Sequence, residues 1–261
     1  MHSRHVRQPG GFPPGLTVVT DLDDPDGVDL RFAILRLAEG EARERLMPGL
    51  EVAALLLRGR ARFHVGGAAL TATRADPFAE DPACLHLSAQ TRLEAVEAVT
   101  DCEIALFAVR NQVPFPPMLF DRGTLAETEQ RGQGRWDDAA WRVVRTIFDD
   151  RNRPEANLVL GEVLNRAGRW SSYPPHHHPQ PELYHYRFER PEGYGLCELG
   201  EEVLRVRDGD TVRILDGQDH PQVAAPGYRM LYLWAIRHLP GLRYREPEFA
   251  TAHRWLLSDA S

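Results

Sequence analysis

The sequence predicts an all-β protein that contains two tandem antiparallel β-sandwich or jelly-roll domains. Short apolar runs with alternating polar residues recur through both halves of the 261-residue chain, and turn residues separate them. The 21 glycines and 20 prolines favour many short strands over long helices. The second half repeats the strand pattern of the first, which indicates two copies of one β unit.

In the first half, the alternating runs follow each other at the close spacing that is typical of an antiparallel sandwich or barrel. Within Glu51–Val65, two strand-like runs flank a predicted turn at Gly59, and Gly66 with Gly67 marks a hairpin. The other predicted strands of this half are residues 30–37, 69–73, 84–87, 93–99 and 103–109.

The proline-rich segment NQVPFPPM at 111–118 precedes a polar stretch and marks the predicted domain boundary. We expect an N-terminal domain at 1–118, a linker at 119–150 and a C-terminal domain at 151–261. Within the linker, the periodicity of 136–148 leaves helix and strand as alternatives. The predicted strands of the second half are residues 157–164, 182–188, 203–206, 211–215 and 228–236.

A weak internal repeat is predicted from an ungapped comparison of the two halves. Residues 93–109 align with 220–236, so that LEAVEAVTDCEIALFAV lies over HPQVAAPGYRMLYLWAI with similar apolar spacing. The alternative is that two unrelated half-buried strands alternate in the same way.

Charge and composition restrict the classes of partner. The formal net charge of −7, from 31 basic and 38 acidic residues, argues against nucleic acid and against an anionic membrane surface. No apolar run reaches the roughly 18 residues of a membrane helix. The start MHSRHVRQPGGFPPG lacks the apolar stretch of a secretory signal.

Three scattered cysteines without CxxC spacing predict a cytoplasmic location and no disulfide.

Four side chains of the second half form a predicted metal site. In WSSYPPHHHPQPELYHYR, the extended chain points His176 and His178 to the same face and His177 away from it. Glu182 opens the next strand, and His220 follows a later turn. Three imidazoles and one carboxylate suit a divalent transition metal such as Zn²⁺, Mn²⁺, Fe²⁺, Co²⁺ or Ni²⁺. The alternative is a solvated histidine cluster in a polar loop.

Three strings carry a family resemblance: GEVLNRAGRWSSYPPHHHP, ELYHYRFERPEGYG and VRDGDTVRILDGQDHPQVAAPGYRMLYL. They resemble the 5-deoxy-glucuronate isomerases of myo-inositol catabolism, which belong to the cupin superfamily and are related to the uronate ketol-isomerases. The resemblance covers residues 158–233. It implies a bicupin whose second cupin holds the metal through His176, His178, Glu182 and His220, and whose first cupin has no metal site.

The resemblance also implies a reaction and a partner, a small sugar acid. The family converts the aldose 5-deoxy-glucuronate to the ketose 2-deoxy-5-keto-gluconate. Tyr184, on the metal-facing side of its strand, is the candidate catalytic residue. The candidate substrate-binding residues are Tyr186, Tyr232 and Arg187. Arg187 lies an odd number of residues after Glu182, so its side chain points to the opposite face of the strand, away from the site. This orientation favours a structural ion pair for Arg187. Arg142 and Arg145 are weaker candidates for contact with the substrate carboxylate.

Departures from the usual sequence of the family leave the identity of the sugar substrate open. His177 stands where lysine is usual, His185 separates two tyrosines that are usually consecutive, and Trp234 replaces a smaller polar residue. Two other functions use the same framework. A metal-dependent cupin dioxygenase would use the same ligands with Fe²⁺ and O₂, whereas a non-catalytic sugar-binding bicupin has no need of an open metal site. A homo-oligomer remains an alternative to a monomer.

Overall fold

The computed structural model describes residues 4–25, 27–215 and 217–258. The chain divides into two compact units. The N-terminal unit contains Phe12–Ala126 and Ile147–Val159, and the C-terminal unit contains Met1–Gly11, Glu127–Thr146 and Leu160–Ser261. The residues expected as a linker are therefore shared between the units, and the domain bounds given by the sequence stay a prediction.

Regular structure in the described residues is almost entirely strand, which confirms the all-β class. The strands are β1 (His5–Val6), β2 (Gly15–Thr20), β3 (Arg31–Leu37), β4 (Ala42–Glu44), β5 (Glu51–Val65), β6 (Ala68–Arg74), β7 (Ala83–Leu87), β8 (Leu93–Ala98), β9 (Cys102–Val109), β10 (Met118–Phe120), β11 (Glu129–Arg131), β12 (Arg142–Phe148), β13 (Leu158–Asn165), β14 (Trp170–Ser171), β15 (His176–His177), β16 (Glu182–Phe188), β17 (Tyr194–Leu199), β18 (Glu202–Arg207), β19 (Thr211–Ile214), β20 (Gln222–Ala224), β21 (Met230–Arg237) and β22 (Glu248–Phe249). Short 3-10 turns lie at Trp136–Asp138 and Thr251–His253, and helix α1 spans Trp255–Ser258.

The N-terminal unit is built on a sheet with strand order β10-β7-β5-β9-β3-β2, in which neighbouring strands are antiparallel. The long strand β5 extends beyond this sheet and pairs with β6 and β8. Alternate residues such as Leu35, Leu56 and Leu106 face one side and form a single apolar core. The hairpin expected at Gly66 and Gly67 joins β5 to β6 and is confirmed.

The prediction of a turn at Gly59 is wrong. Strand β5 runs without interruption from Glu51 to Val65, and Gly59 lies inside it with a φ of +100°. A Cβ at this position would lie 2.2 Å from the backbone oxygen of Asp101. The pairing with β9 also shifts between Leu56 and Arg58. The glycine therefore permits an irregularity within one long strand, where the sequence indicated two shorter ones.

The C-terminal unit has a main sheet of order β1-β19-β16-β21-β13-β12-β11 and a second sheet of order β14-β20-β17-β18. Strand β1, from the start of the chain, pairs with β19 through His5 opposite Val212. The inward side of the main sheet carries an apolar core with three tyrosines, Tyr184, Tyr186 and Tyr232. The small pair β15-β22 joins the first histidines of the predicted metal site to a segment near residue 249.

Both units share one strand order, which supports the predicted repeat. The order β2-β3-β9-β5-β7-β10 corresponds to β12-β13-β21-β16-β19-β1. The ungapped alignment is nevertheless wrong by one residue. Strand β9 begins at Cys102 and places Ile104 inward, whereas β21 begins at Met230 and places Tyr232 inward. A shift of one residue exchanges the two faces of a strand, so sequence periodicity alone did not fix the register.

The corrected register places Val52 at the position of Glu182. Val52 lies opposite Ala108 on β9, and Glu182 lies opposite Ile236 on β21. Val52 is part of the apolar core of its unit. The N-terminal unit thus has an apolar residue where the C-terminal unit has a carboxylate, and the absence of a metal site from the first cupin stays a prediction.

The segment 136–148, left as helix or strand by its periodicity, is a 3-10 turn followed by strand β12. Val144 on β12 belongs to the inward core of the C-terminal unit. Because alternate residues of a strand share a face, Arg142 points to the same inward side as Val144, and Arg145 points to the other.

The three cysteines, Cys84, Cys102 and Cys197, are free and buried. Burial raises the pKa of the Cys102 and Cys197 thiols to about 11, which keeps both protonated and unsuited to nucleophilic attack. Among the described residues, no helix combines the length and the apolar character needed to cross a membrane.

A buried carboxylate fastens the segment Ile147–Val159 to the sheet of the N-terminal unit. Glu51 is fully buried, and one of its oxygens lies 3.0 Å from Nε2 of His86. The other oxygen accepts bonds from the side-chain amide of Asn111 at 2.6 Å and from the backbone amide of Asn157 at 2.7 Å. These bonds satisfy a charge that would otherwise be costly to bury.

We expect Glu51→Ala to lower the free energy of unfolding by about 3 kcal/mol or more, because it leaves several buried donors without an acceptor. Thermal and urea unfolding, followed by circular dichroism, measure the change. Glu97→Ala is the matched control, since Glu97 bonds to Arg62 at the partly exposed edge of the same unit and should have little effect. Equal stability of the two variants would contradict the role of Glu51.

Candidate metal and active site

Three of the predicted ligands converge inside the C-terminal unit. One potential ligand atom from each of His178, Glu182 and His220 lies within 4.8 Å of the other two, and all three residues are buried. Nε2 of His178 is 3.0 Å from Oε2 of Glu182, and Nε2 of His220 is 3.3 Å from the same oxygen. Among the described residues, this is the single group of three or more such side chains close enough to share an ion.

Local strand geometry brings these residues together. Glu182 is the first residue of β16, where it faces Ile214 on one side and Ile236 on the other. His178 precedes it by four residues across a short turn, and His220 lies in the loop that leads into β20. The two-residue spacing of Glu182 and Tyr184 places both side chains on the inward side of the sheet, as predicted.

His176 is adjacent to this group but outside the 4.8 Å cluster. Its ring centroid is 5.2 Å from that of His220. His177 turns away, as the strand parity predicts, and its Nδ1 bonds to Asp219 at 2.8 Å. The assignment of His176 as the fourth ligand stays a prediction.

Hydrogen bonds to the backbone orient two of the imidazoles. The Nδ1–H of His176 donates to the Pro174 carbonyl at 2.9 Å, and the Nδ1–H of His220 donates to the Gln218 carbonyl at 2.8 Å. Each ring therefore keeps a lone pair on Nε2. A carbonyl that holds one ring nitrogen of a histidine in this way is the usual support of a metal ligand.

The protonation states of Glu182 and His176 also suit a cation. Burial alone would raise the pKa of Glu182, but its contacts with His178 and His220 lower the pKa to about 2, so the carboxylate is ionised. Burial, together with the nearby His220, lowers the pKa of His176 to about 3, so this imidazole is neutral. Burial opposes protonation of His220 as well, but its interaction with Glu182 raises the pKa of that ring.

The side chains of His178, Glu182 and His220 suit a divalent metal. Nδ1 of His178 and Nε2 of His220 are buried, and within the described ranges neither has a hydrogen-bond partner. Glu182 is only 3% exposed, and its described ion-pair partners are these two imidazoles. A cation among the three groups would neutralise the carboxylate and contact the Nε2 atoms of His178 and His220, both of which lie beside that carboxylate.

Two of the three predicted tyrosines lie beside the cluster. The Tyr184 ring is 5.7 Å from the His220 ring, and its hydroxyl is 3.0 Å from Oγ of Ser172. The Tyr232 hydroxyl lies 2.5 Å from Oγ of Ser171 and 3.3 Å from that of Ser172. The sequence did not assign a role to these serines, although both belong to the WSSYPP string that carried the resemblance.

Tyr186 contacts the site through another side chain. Its hydroxyl donates to the side-chain carbonyl of Gln222, and the Gln222 amide donates to the backbone oxygen of His220 at 2.6 Å. Tyr186 therefore helps to hold the His220 loop in position. Its direct contact with a substrate stays a prediction.

The arginines separate into two kinds. Arg187 lies 3.3 Å from Asp208, and Arg145 bonds to Glu162 at 2.9 Å, so both have carboxylate partners. The expected ion pair of Arg187 is thus present. Arg142 instead bonds to backbone carbonyls on the inward side of the sheet.

The sequence missed a second wall of the site. Strand β22 pairs with β15, and the ring of Phe249 lies 5.7 Å from that of His176. The ring of Tyr244 lies 4.8 Å from that of His178. A two-residue strand carries no periodicity, so no pattern in the sequence could have revealed this wall.

Comparison with known proteins places this geometry in a family. The model of the KduI/IolB family matches residues 10–256. The chain belongs to this family. A curated relative from Geobacillus thermodenitrificans, named 5-deoxy-glucuronate isomerase, is 26% identical over 219 residues, which cover 77% of each protein. The predictions of the family and of an isomerase are confirmed.

Solved structures show the same fold. The crystal structure of an IolB-like protein from Salmonella typhimurium LT2 has a TM-score of 0.79 and 25% identity, and it covers 87% of this chain and 90% of that one. A cupin 2 conserved barrel domain protein from Leptotrichia buccalis has a TM-score of 0.52 and 14% identity over 85% of this chain and 88% of that one. The predicted bicupin fold is confirmed.

Proposed function

We propose that this protein is a metal-dependent isomerase that converts the aldose 5-deoxy-glucuronate to the ketose 2-deoxy-5-keto-gluconate in myo-inositol catabolism. The observation that carries the proposal is the buried cluster of His178, Glu182 and His220, with His176 beside it as the fourth ligand. The name of the curated relatives supports the choice of reaction and of a deoxy-uronic acid as the substrate.

The reaction moves a proton between the first two carbons of an open-chain sugar. A divalent ion in this site would supply Lewis-acid polarisation of the sugar's carbonyl and neighbouring hydroxyl oxygens. The buried ligands and the aromatic rings around them keep bulk water from the reacting carbons, which limits loss of the proton to solvent.

Tyr184 is suited to donate a hydrogen bond to a substrate oxygen. Burial and the nearby charge of Glu182 raise the pKa of its hydroxyl well above the usual range, so the phenol stays protonated. Ser172 holds that hydroxyl in place, and Ser171 does the same for Tyr232. On this basis we assign Tyr184 as a hydrogen-bond donor to a substrate oxygen and Tyr232 as a substrate contact.

We expect His178→Ala to remove the bound metal while the fold is retained, because one ligand is lost and the core is held by apolar burial. Elemental analysis of the purified protein should give one metal per chain for the wild type and much less for the variant. His177→Ala is the control, since His177 faces Asp219 and not the cluster. Full metal content in His178→Ala would exclude it as a ligand.

We expect turnover of 5-deoxy-glucuronate without O₂, and measurable turnover after replacement of the native metal by Zn²⁺, because isomerisation requires no redox change at the metal. Parallel aerobic and anaerobic assays with product analysis by nuclear magnetic resonance test this. Stoichiometric O₂ consumption that ceases with Zn²⁺ would instead identify a dioxygenase.

A further inference from the structure

Arg142 is a buried cation that has no carboxylate partner in the part of the chain that the structure describes. It is only 7% exposed. Its Nη1 donates to the Ala140 carbonyl at 2.9 Å, and its Nη2 donates to the Tyr173 carbonyl at 3.1 Å. These bonds use two of the five N–H donors of a guanidinium, which remains charged at any physiological pH.

Such a charge is costly to bury with only neutral acceptors around it. The carboxylates near this strand have other partners. Glu162 bonds to Arg145 on the opposite face, and Glu129, at the neighbouring edge, pairs with Arg131 at 2.8 Å. An anion from outside the protein would neutralise the charge of Arg142 and accept hydrogen bonds from its remaining N–H donors.

Contacts connect Arg142 with the reaction site. Its side chain shares the inward side with the core residue Val144, where the tyrosines of the site also lie. The Tyr173 carbonyl that it contacts belongs to the residue directly after Ser172. Ser172 in turn contacts the hydroxyls of Tyr184 and Tyr232. The cation therefore lies on the substrate side of the sheet and is separate from the metal ligands.

We propose that Arg142 binds the carboxylate of the sugar acid and selects uronates over neutral aldoses. This inference rests on the proposed function for the identity of the substrate. The carboxylate of such a sugar is at the end opposite to the two carbons that exchange the proton, so a cation apart from the ligands is required. The planar guanidinium fork matches a carboxylate with two parallel hydrogen bonds.

The test compares two ligands in three variants. We expect Arg142→Met to weaken binding of 5-deoxy-glucuronate by about 10- to 100-fold, the usual effect of a lost hydrogen bond to a charged group. Binding of the matching aldose with a hydroxymethyl group in place of the carboxylate should be unchanged. Arg142→Lys keeps the charge without the fork and should show a smaller selective loss. Isothermal titration calorimetry measures affinity, and steady-state assays give KM and kcat for both sugars.

Arg205→Met is the control, because Arg205 is exposed and stacks on the ring of Tyr194, away from the cluster. Circular dichroism and metal content establish that each variant is folded and loaded. Should Arg142→Met fail to fold, the selectivity of Arg142→Lys decides. Equal losses for both sugars would indicate a purely structural arginine and overturn the inference, as would no loss for either.

The two proposals fail in different ways. If the wild type binds the uronate selectively through Arg142 but does not isomerise it, the proposed reaction is wrong and the carboxylate site stands. If the wild type isomerises the uronate and the Arg142 variants keep full selectivity, the carboxylate site is wrong and the reaction stands. A wild type that neither binds nor converts the uronate overturns both.

Discussion

The C-terminal unit depends on the burial of one negative charge. Glu182 is ionised at only 3% exposure, and its described ion-pair partners are the imidazoles of His178 and His220. A buried carboxylate is costly unless it is paired and hydrogen-bonded, so the burial of Glu182 depends on its contacts with these two imidazoles. The backbone bond of the His220 ring and the contact of Gln222 with the His220 backbone hold that imidazole in position beside the carboxylate.

The two units use a buried glutamate for opposite purposes. Glu51 in the N-terminal unit is as deeply buried as Glu182, but it receives bonds from an amide side chain and a backbone amide in addition to His86. Both oxygens of Glu51 already accept hydrogen bonds, so this carboxylate fastens a segment and is not available to a ligand. Glu182 lies on the inward face, at the position of Val52 in the repeat. The buried glutamates of the two units thus lie on opposite faces of corresponding strands, one in a structural role and the other as the proposed metal ligand.

The sequence predicted most of what depends on local pattern. The strand β16 and the convergence of His178, Glu182 and His220 followed from alternation and from an unusual string of residues. The features that the sequence did not predict depend on backbone conformation and on short strand pairings, which leave no pattern in the residue types. Gly59 was interpreted as a turn because a single glycine looks alike in a turn and in a bulge. The wall formed by Tyr244 and Phe249 comes from a segment whose pairing is too short to leave a periodic signal.

The placement of β1 has a consequence for biosynthesis. His5 and Val6 are made first, yet their partners on β19 are among the last residues of the sheet to leave the ribosome, and His5 contacts Asp210 across 205 positions. His5 and Val6 therefore stay without this partner until β19 has been synthesised. Strand β16 pairs with one side of β19, and β1 covers the other, which would otherwise be an exposed edge that promotes aggregation. Pairing over so many residues favours slow folding, and it protects the edge of the main sheet against association between chains.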